Sequence, residues 1–199
     1  MATFTWQVYA NTPAWMAVSS NTIVFSGSRT DLSVPITVGT WNSGTHLGNG
    51  DPGTDQCGTK HVPNVEYVSN TQFKLNGGST ETISNANLAA TECTMRILFT
   101  DASKVAVSNA RFYAFDGSTT TAEAVGVEVY AVEGQVGAST WTQINDDSAN
   151  IGGDNSGERL SLSDQSAATV HTFYIAVSAR PESVGAKTQF DFGISLTYS

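Results

Sequence analysis

The sequence predicts an all-β fold: an antiparallel β-sandwich, jelly-roll or immunoglobulin-like, formed as a single domain over residues 1-199. Three observations carry that expectation. Apolar residues recur at every second position in several segments, the period of a half-buried strand. The composition is rich in Thr, Ser, Gly and Val, not in the Ala, Glu, Lys and Leu of helical bundles. Turn-forming residues, with no helical pattern among them, join the alternating runs.

Phe4 to Ala10 is the first candidate strand, and residues 1-20 as a whole read as an apolar, aromatic N-terminal arm. Asn21 to Phe25, Leu32 to Val38, Val65 to Val68 and Thr71 to Leu75 follow. Pro35 has no N–H to give a ladder, which places its segment at an edge or a bulge. One short turn is expected near Asn85 to Glu92. Cys93 to Thr100 puts Met95, Ile97 and Phe99 on one face, and Arg111 to Phe115 ends at the turn dipeptide Asp116-Gly117. Val125 to Val132 alternates Val125, Val127, Val129 and Ala131 against Gly126, Glu128 and Tyr130. Val170 to Ala179 carries Phe173, Ile175 and Val177 on one side. Phe190 to Tyr198 carries Phe190, Phe192, Ile194, Leu196 and Tyr198, and the two segments are expected to pair through the Pro181–Gly185 turn. Gly39 to Pro63 and Ile144 to Gly157 read as long loops, a length that usually marks function or mobility.

Charge narrows the function. The net charge is −9 and no Lys or Arg cluster is present, which argues against nucleic-acid binding. No run of about 18 apolar residues encodes a membrane span. The N-terminus lacks the basic and apolar regions of a signal peptide, so synthesis is expected in the cytoplasm.

Chemistry-bearing motifs are sparse. Gly48-Asn49-Gly50-Asp51-Pro52-Gly53 matches a dinucleotide-binding string, but it lacks the strand before and the helix after that the chemistry needs. Asp146, Asp147, Asp154, Asn155, Ser156 and Glu158 crowd one loop without an EF-hand register, and a solvated acidic loop is the simpler reading. No nucleophile elbow, paired metal-binding histidines or distinctive carboxylate pair points to an enzyme. His171 is expected to be packed or exposed without a role. No catalytic residue, metal or cofactor is expected.

Cys57 and Cys93 leave three options open: two buried thiols, one disulfide, or a zinc site with His46 and His61. The disulfide is the expectation carried forward. Among the tryptophans, Trp6 and Trp141 have strand-like neighbours and suit a core or an interface. Phe4, Trp6 and Trp15 are the interface candidates of the arm, and Trp41, at the mouth of the Gly-rich loop, is the ligand-loop candidate.

The runs Cys93-Thr94-Met95-Arg96-Ile97-Leu98-Phe99, Phe112-Tyr113-Ala114-Phe115-Asp116-Gly117 and Phe173-Tyr174-Ile175-Ala176-Val177-Ser178, continuing through Pro181 and Gly185 to Tyr198, resemble β-sandwich virion structural proteins of tailed bacteriophages: capsid decoration or cement proteins and small tail components. The resemblance covers residues 93-199. It implies a non-enzymatic protein of the virion, made in a host cytoplasm, whose partners are capsid or tail proteins and its own copies, as a homo-oligomer expected to be a trimer. The alternative is a carbohydrate- or receptor-binding module that uses Trp41 and the acidic loop.

Overall fold

A computed structural model describes residues 2–9, 15–25, 29–32, 40–41, 65–75, 78–84, 88–93, 95–116, 127–137, 140–146, 159–181, 185–186 and 190–199. The described chain is almost wholly strand, and every strand pair in it is antiparallel. The strands are β1 Ala2–Tyr9, β2 Trp15–Phe25, β3 Arg29–Leu32, β4 Thr40–Trp41, β5 Val65–Ser69, β6 Gln72–Leu75, β7 Thr80–Thr82, β8 Met95–Asp116, β9 Val127–Glu133, β10 Thr142–Asp146, β11 Leu160–Ser161, β12 Gln165–Pro181, β13 Gly185–Ala186 and β14 Phe190–Tyr198. A 3-10 turn, Ala90–Glu92, precedes β8, where the Glu92 carboxylate accepts the Ala89 N–H at 2.7 Å.

Among the described residues the main sheet has nine strands. Its path runs β10-β9-β12-β8-β1-β2, with β11 and β14 also on β8 and β3 on β14. β5, β6 and β7 form a second sheet, and β4 and β13 a two-stranded ribbon.

The segments 93–100 and 111–115, expected as separate strands, are two ends of one 22-residue strand. The intervening Asp101-Ala102-Ser103-Lys104 carries turn chemistry, yet the chain bends there without leaving the sheet. Asp101 accepts the Ser103 N–H at 2.7 Å, Lys104 takes φ 57°, and Asn109 takes φ 53° with its N–H bonded to the Asp164 carboxylate at 3.2 Å. Both pairings flanking this region shift register. A second expectation also changes. β12 and β14 do not pair with each other among the described residues; each pairs with β8 instead.

Within residues 1-20, expected as an arm, the described segments 2–9 and 15–20 are strands of the main sheet. β1 lies between β2 and β8, with Phe4 opposite Phe99 and Trp6 opposite Ile97. Ala2, Phe4 and Trp6 share one face by the two-residue period and lie in the largest core cluster with Met95, Ile97, Phe99, Phe112, Phe173, Ile175, Val177, Phe192, Ile194 and Leu196. Phe4 and Trp6 are fully buried within this chain, which removes them as interface candidates. The Trp15 backbone pairs with Tyr9 in β2, while its side chain lies outside the described residues.

The core is knit by rings. Phe4–Phe99 and Phe99–Tyr198 centroids are each 5.2 Å apart, and Phe112–Phe192 5.1 Å. A smaller cluster joins β5 and β6 to the opposite face of β9 and β12 through Val65, Phe73, Ile83, Leu88, Val132, Trp141 and Ala176. Tyr67 stacks on Tyr130 at 3.8 Å, and the Trp141 indole N–H donates to the Gln72 carbonyl at 3.2 Å. Of the two places its neighbours in sequence left open, core or interface, Trp141 takes the core.

Among the described residues two buried side-chain nitrogens have no hydrogen-bond partner, Trp6 Nε1 and Arg159 Nε. Trp6→Ala should therefore destabilise by about 3–5 kcal/mol through cavity formation. Trp6→Phe keeps most of the apolar volume and removes an orphaned donor whose burial costs about 1–3 kcal/mol, so it should melt close to wild type. Deleting residues 1-20 should abolish the folded far-UV spectrum, because a central strand is lost. A folded deletion variant would show that β1 is dispensable and the core assignment wrong.

Candidate functional site

A cleft of about 340 Å³ opens where the loop after β9 and the start of β10 approach β11. It is lined by Glu133, Val136, Gly137, Thr140, Thr142, Arg159, Leu160, Ser161 and Ser163. The strand period explains Glu133: it stands opposite Ile175 and in register with Val129 and Ala131, so β9 delivers a carboxylate on its apolar face. Only 5% of the residue is exposed.

Ser163 compensates part of that burial. Its backbone N–H and its hydroxyl both donate to Glu133 Oε2, at 2.8 and 3.0 Å. Burial raises the Glu133 pKa above the ordinary carboxylate range, and the two Ser163 bonds oppose the shift without cancelling it. Arg159 lines the same cleft, and its guanidinium carbon lies 4.3 Å from the Tyr113 ring centroid. The same ring covers Gly193, where a Cβ would overlap it, so the strand glycine and the tyrosine are matched. The cleft thus presents one acid, one base and four hydroxyl side chains, an arrangement suited to hydrogen bonding.

Beside Glu133, Gly134 packs on Cys93; a Cβ there would come within 2.5 Å of Sγ. Cys93 is a buried thiol whose Sγ donates to the Ala89 carbonyl at 3.5 Å. Desolvation, with smaller contributions from the charges of Glu92 and Glu133, pushes its pKa up to about 12. A neutral thiol of this kind is a poor nucleophile and a poor metal ligand. Cys57, its expected disulfide partner, lies outside the described residues, as do His46 and His61. Among the described residues no group of three or more His, Cys, Asp or Glu side chains is placed to hold a metal ion.

His171 is packed. Nε2 meets the Val105 carbonyl at 2.9 Å, Nδ1 meets the Gln165 side-chain oxygen at 3.2 Å, and the ring stacks on Phe99, so both nitrogens are committed to the fold. The Trp41 backbone pairs with Gly185, and its side chain and the loop after it lie outside the described residues. No described helix is long and apolar enough to cross a membrane.

Neither Glu133 nor Arg159 stood out in the sequence. A signal for Glu133 was present: extending the alternation Val125, Val127, Val129, Ala131 by one step puts a carboxylate at the next apolar position. Compared with known protein families, characterised proteins and solved structures, the chain matches none.

Two outcomes follow from these environments. A carboxyl with a raised folded-state pKa favours the folded state most below its unfolded pKa, and that contribution is lost as pH rises through the folded value. Glu133→Gln keeps an acceptor for Ser163 but no charge. As pH rises above the ordinary glutamate value of about 4.3, its melting temperature should gain on wild type; a gap that is flat or reversed with pH would contradict the buried charge. For Cys93, peptide mapping after maleimide treatment at neutral pH should find it unmodified in native protein and labelled after denaturation and reduction. Rapid native labelling would refute the buried, neutral thiol.

Proposed function

We propose that this chain is a non-enzymatic structural subunit of a virion that decorates or cements a capsid, or joins tail components, by protein–protein contacts that include contact with its own copies. One observation carries the self-contact: the character of the β2 edge. Among the described residues β2 pairs with β1 alone. It is an 11-residue edge, Trp-Met-Ala-Val-Ser-Ser-Asn-Thr-Ile-Val-Phe, with no charge and no proline. Sheet edges are ordinarily protected by shortness, charge or bulges. β3 follows that rule with four residues including Arg29 and Asp31, and β10 with five, a register shift and an exposed Asp146. β2 does not. The first side chain of the whole sequence that is charged at neutral pH is Arg29, in a chain of net charge −9. A neutral edge is where two acidic copies meet with least repulsion, and strand addition there would satisfy N–H and C=O groups that no described strand pairs.

The same reading takes the main sheet to double over along β8 into a β-sandwich, jelly-roll or immunoglobulin-like, because the main core draws side chains from both ends of that strand. An antiparallel β2–β2 contact is isologous and closes with two copies, whereas a trimer needs β2 to meet a different strand.

Light scattering coupled to size exclusion separates these cases. The wild-type chain should self-associate. Thr22 pairs with Thr5, off the Phe4 and Trp6 face, so Thr22→Lys should give a monomer with an unchanged far-UV spectrum. A wild-type monomer at every soluble concentration, or a variant that associates as before, would refute the edge contact. For the virion role, capsid, portal or tail genes are the expected genomic neighbours; genes of cellular metabolism on both sides would count against it.

A further inference from the structure

We infer that the Glu133 cleft is a binding site for a small neutral polyhydroxyl ligand, a saccharide of one or two rings, independent of the β2 edge. The argument is one of charge and hydrogen-bond complementarity. At about 340 Å³ the cleft lies at the lower end of small-molecule sites and is too small for a macromolecular segment of any length. Both Ser163 bonds fall on Glu133 Oε2, which leaves the lone pairs of Oε1 to accept from a ligand. Arg159 lines the same cleft and offers only donors. Its guanidinium is held in place by the Tyr113 ring, so its direction is set before a ligand arrives.

Each ligand class meets this pair differently. A simple cation is attracted by Glu133 and repelled by Arg159, and a simple anion the reverse. An apolar molecule would displace water from a carboxylate that is already 95% buried and leave it unsolvated, because the residue is only 5% exposed. A sugar carries hydroxyls that donate to the carboxylate and accept from the guanidinium. Thr140, Thr142, Ser161 and Ser163 add hydroxyls that rotate to donate or accept as the ligand requires. Val136, 46% exposed at the rim, supplies an apolar contact for the C–H face of a ring. The raised pKa of Glu133 fits a site in which a hydroxyl donor stabilises the charged form on binding.

The test is saturation-transfer NMR and calorimetry on the full chain with free neutral hexoses, N-acetylhexosamines and short dextrins. At least one should bind with a dissociation constant in the millimolar range or tighter. Glu133→Gln should weaken it about tenfold or more, since a hydrogen bond to a charge becomes a neutral one. Because Glu133 also holds Ser163, a second variant is needed. Thr140→Val with Thr142→Val removes two hydroxyls at nearly constant volume and should weaken binding several-fold while the melting temperature holds. No binding by any of these sugars, binding that neither variant changes, or binding of zwitterionic amino acids in their place would overturn the inference. Because neither variant touches β2, self-association remains a separate readout.

Discussion

The structure depends on a single strand being able to bend without breaking its ladders. β8 hydrogen-bonds directly to β1, β11, β12 and β14. Its two ends take different partners: Met95 to Thr100 lies between β1 and β12, and Val107 to Asp116 lies against β14 and β11. The change of partner is made over a few residues. Asp101 closes a turn-like bond to the Ser103 N–H, and Lys104 and Asn109 take the left-handed conformation that L side chains seldom adopt. The Ser103 backbone N–H, more than any other contact, lowers the Asp101 pKa, so the bond is made with the charged carboxylate. Nearby the ladder is completed by other means: the Val105 carbonyl meets the His171 ring, and Ala106 exchanges both backbone bonds with Ser199. A bend that left these groups open would carry a buried desolvation penalty.

Two buried polar side chains are held by partners from other segments of the chain. Ser178 receives the Tyr67 N–H at 3.0 Å and so ties the second sheet to β12. Glu133 receives Ser163 and ties β9 to the segment that leads into β12. Trp6 Nε1 departs from this pattern, and an unpaired donor beside Phe112 is tolerated because the indole fills its space: the rings lie 6.4 Å apart in tilted contact. Apolar burial outweighs one lost hydrogen bond when the side chain is this large.

The legible part of the fold is the part governed by the two-residue period. β14 begins and ends where the alternation does, and Phe173, Ile175 and Val177 share a core with Phe192, Ile194 and Leu196. Pairing was not legible in the same way. Alternation assigns each residue a face but says nothing of which strand lies alongside, and β12 and β14 are neighbours in sequence yet flank different ends of β8. The stretch from Asp101 to Lys104 misled for a related reason: Asp, Ser and a left-handed residue are turn chemistry, and a bulge uses the same local bonds as a chain reversal. Phe4 and Trp6 were read as an arm because an apolar N-terminus has no upstream context to place it, and only the ladder to β8 shows that it is central. In the cleft, Glu133 was readable from its register, whereas Arg159 was not, since its position depends on a cross-strand ring at Tyr113.

Charge distribution links fold and assembly. The acidic excess is placed away from the first 28 residues, so β1 and β2 form a neutral flank on an otherwise negative chain. For β1 neutrality follows from position, since a strand buried between two others gains nothing from charge. For β2 position gives no such reason, because among the described residues it has a strand on one side only, and charge is the usual protection of such an edge. Keeping charge out of 11 consecutive edge residues leaves the ladder open to another strand and exposes the chain to uncontrolled pairing. Under the proposed self-contact a second acidic copy presenting the same neutral strand would cover that edge, while its remaining charge would resist further addition.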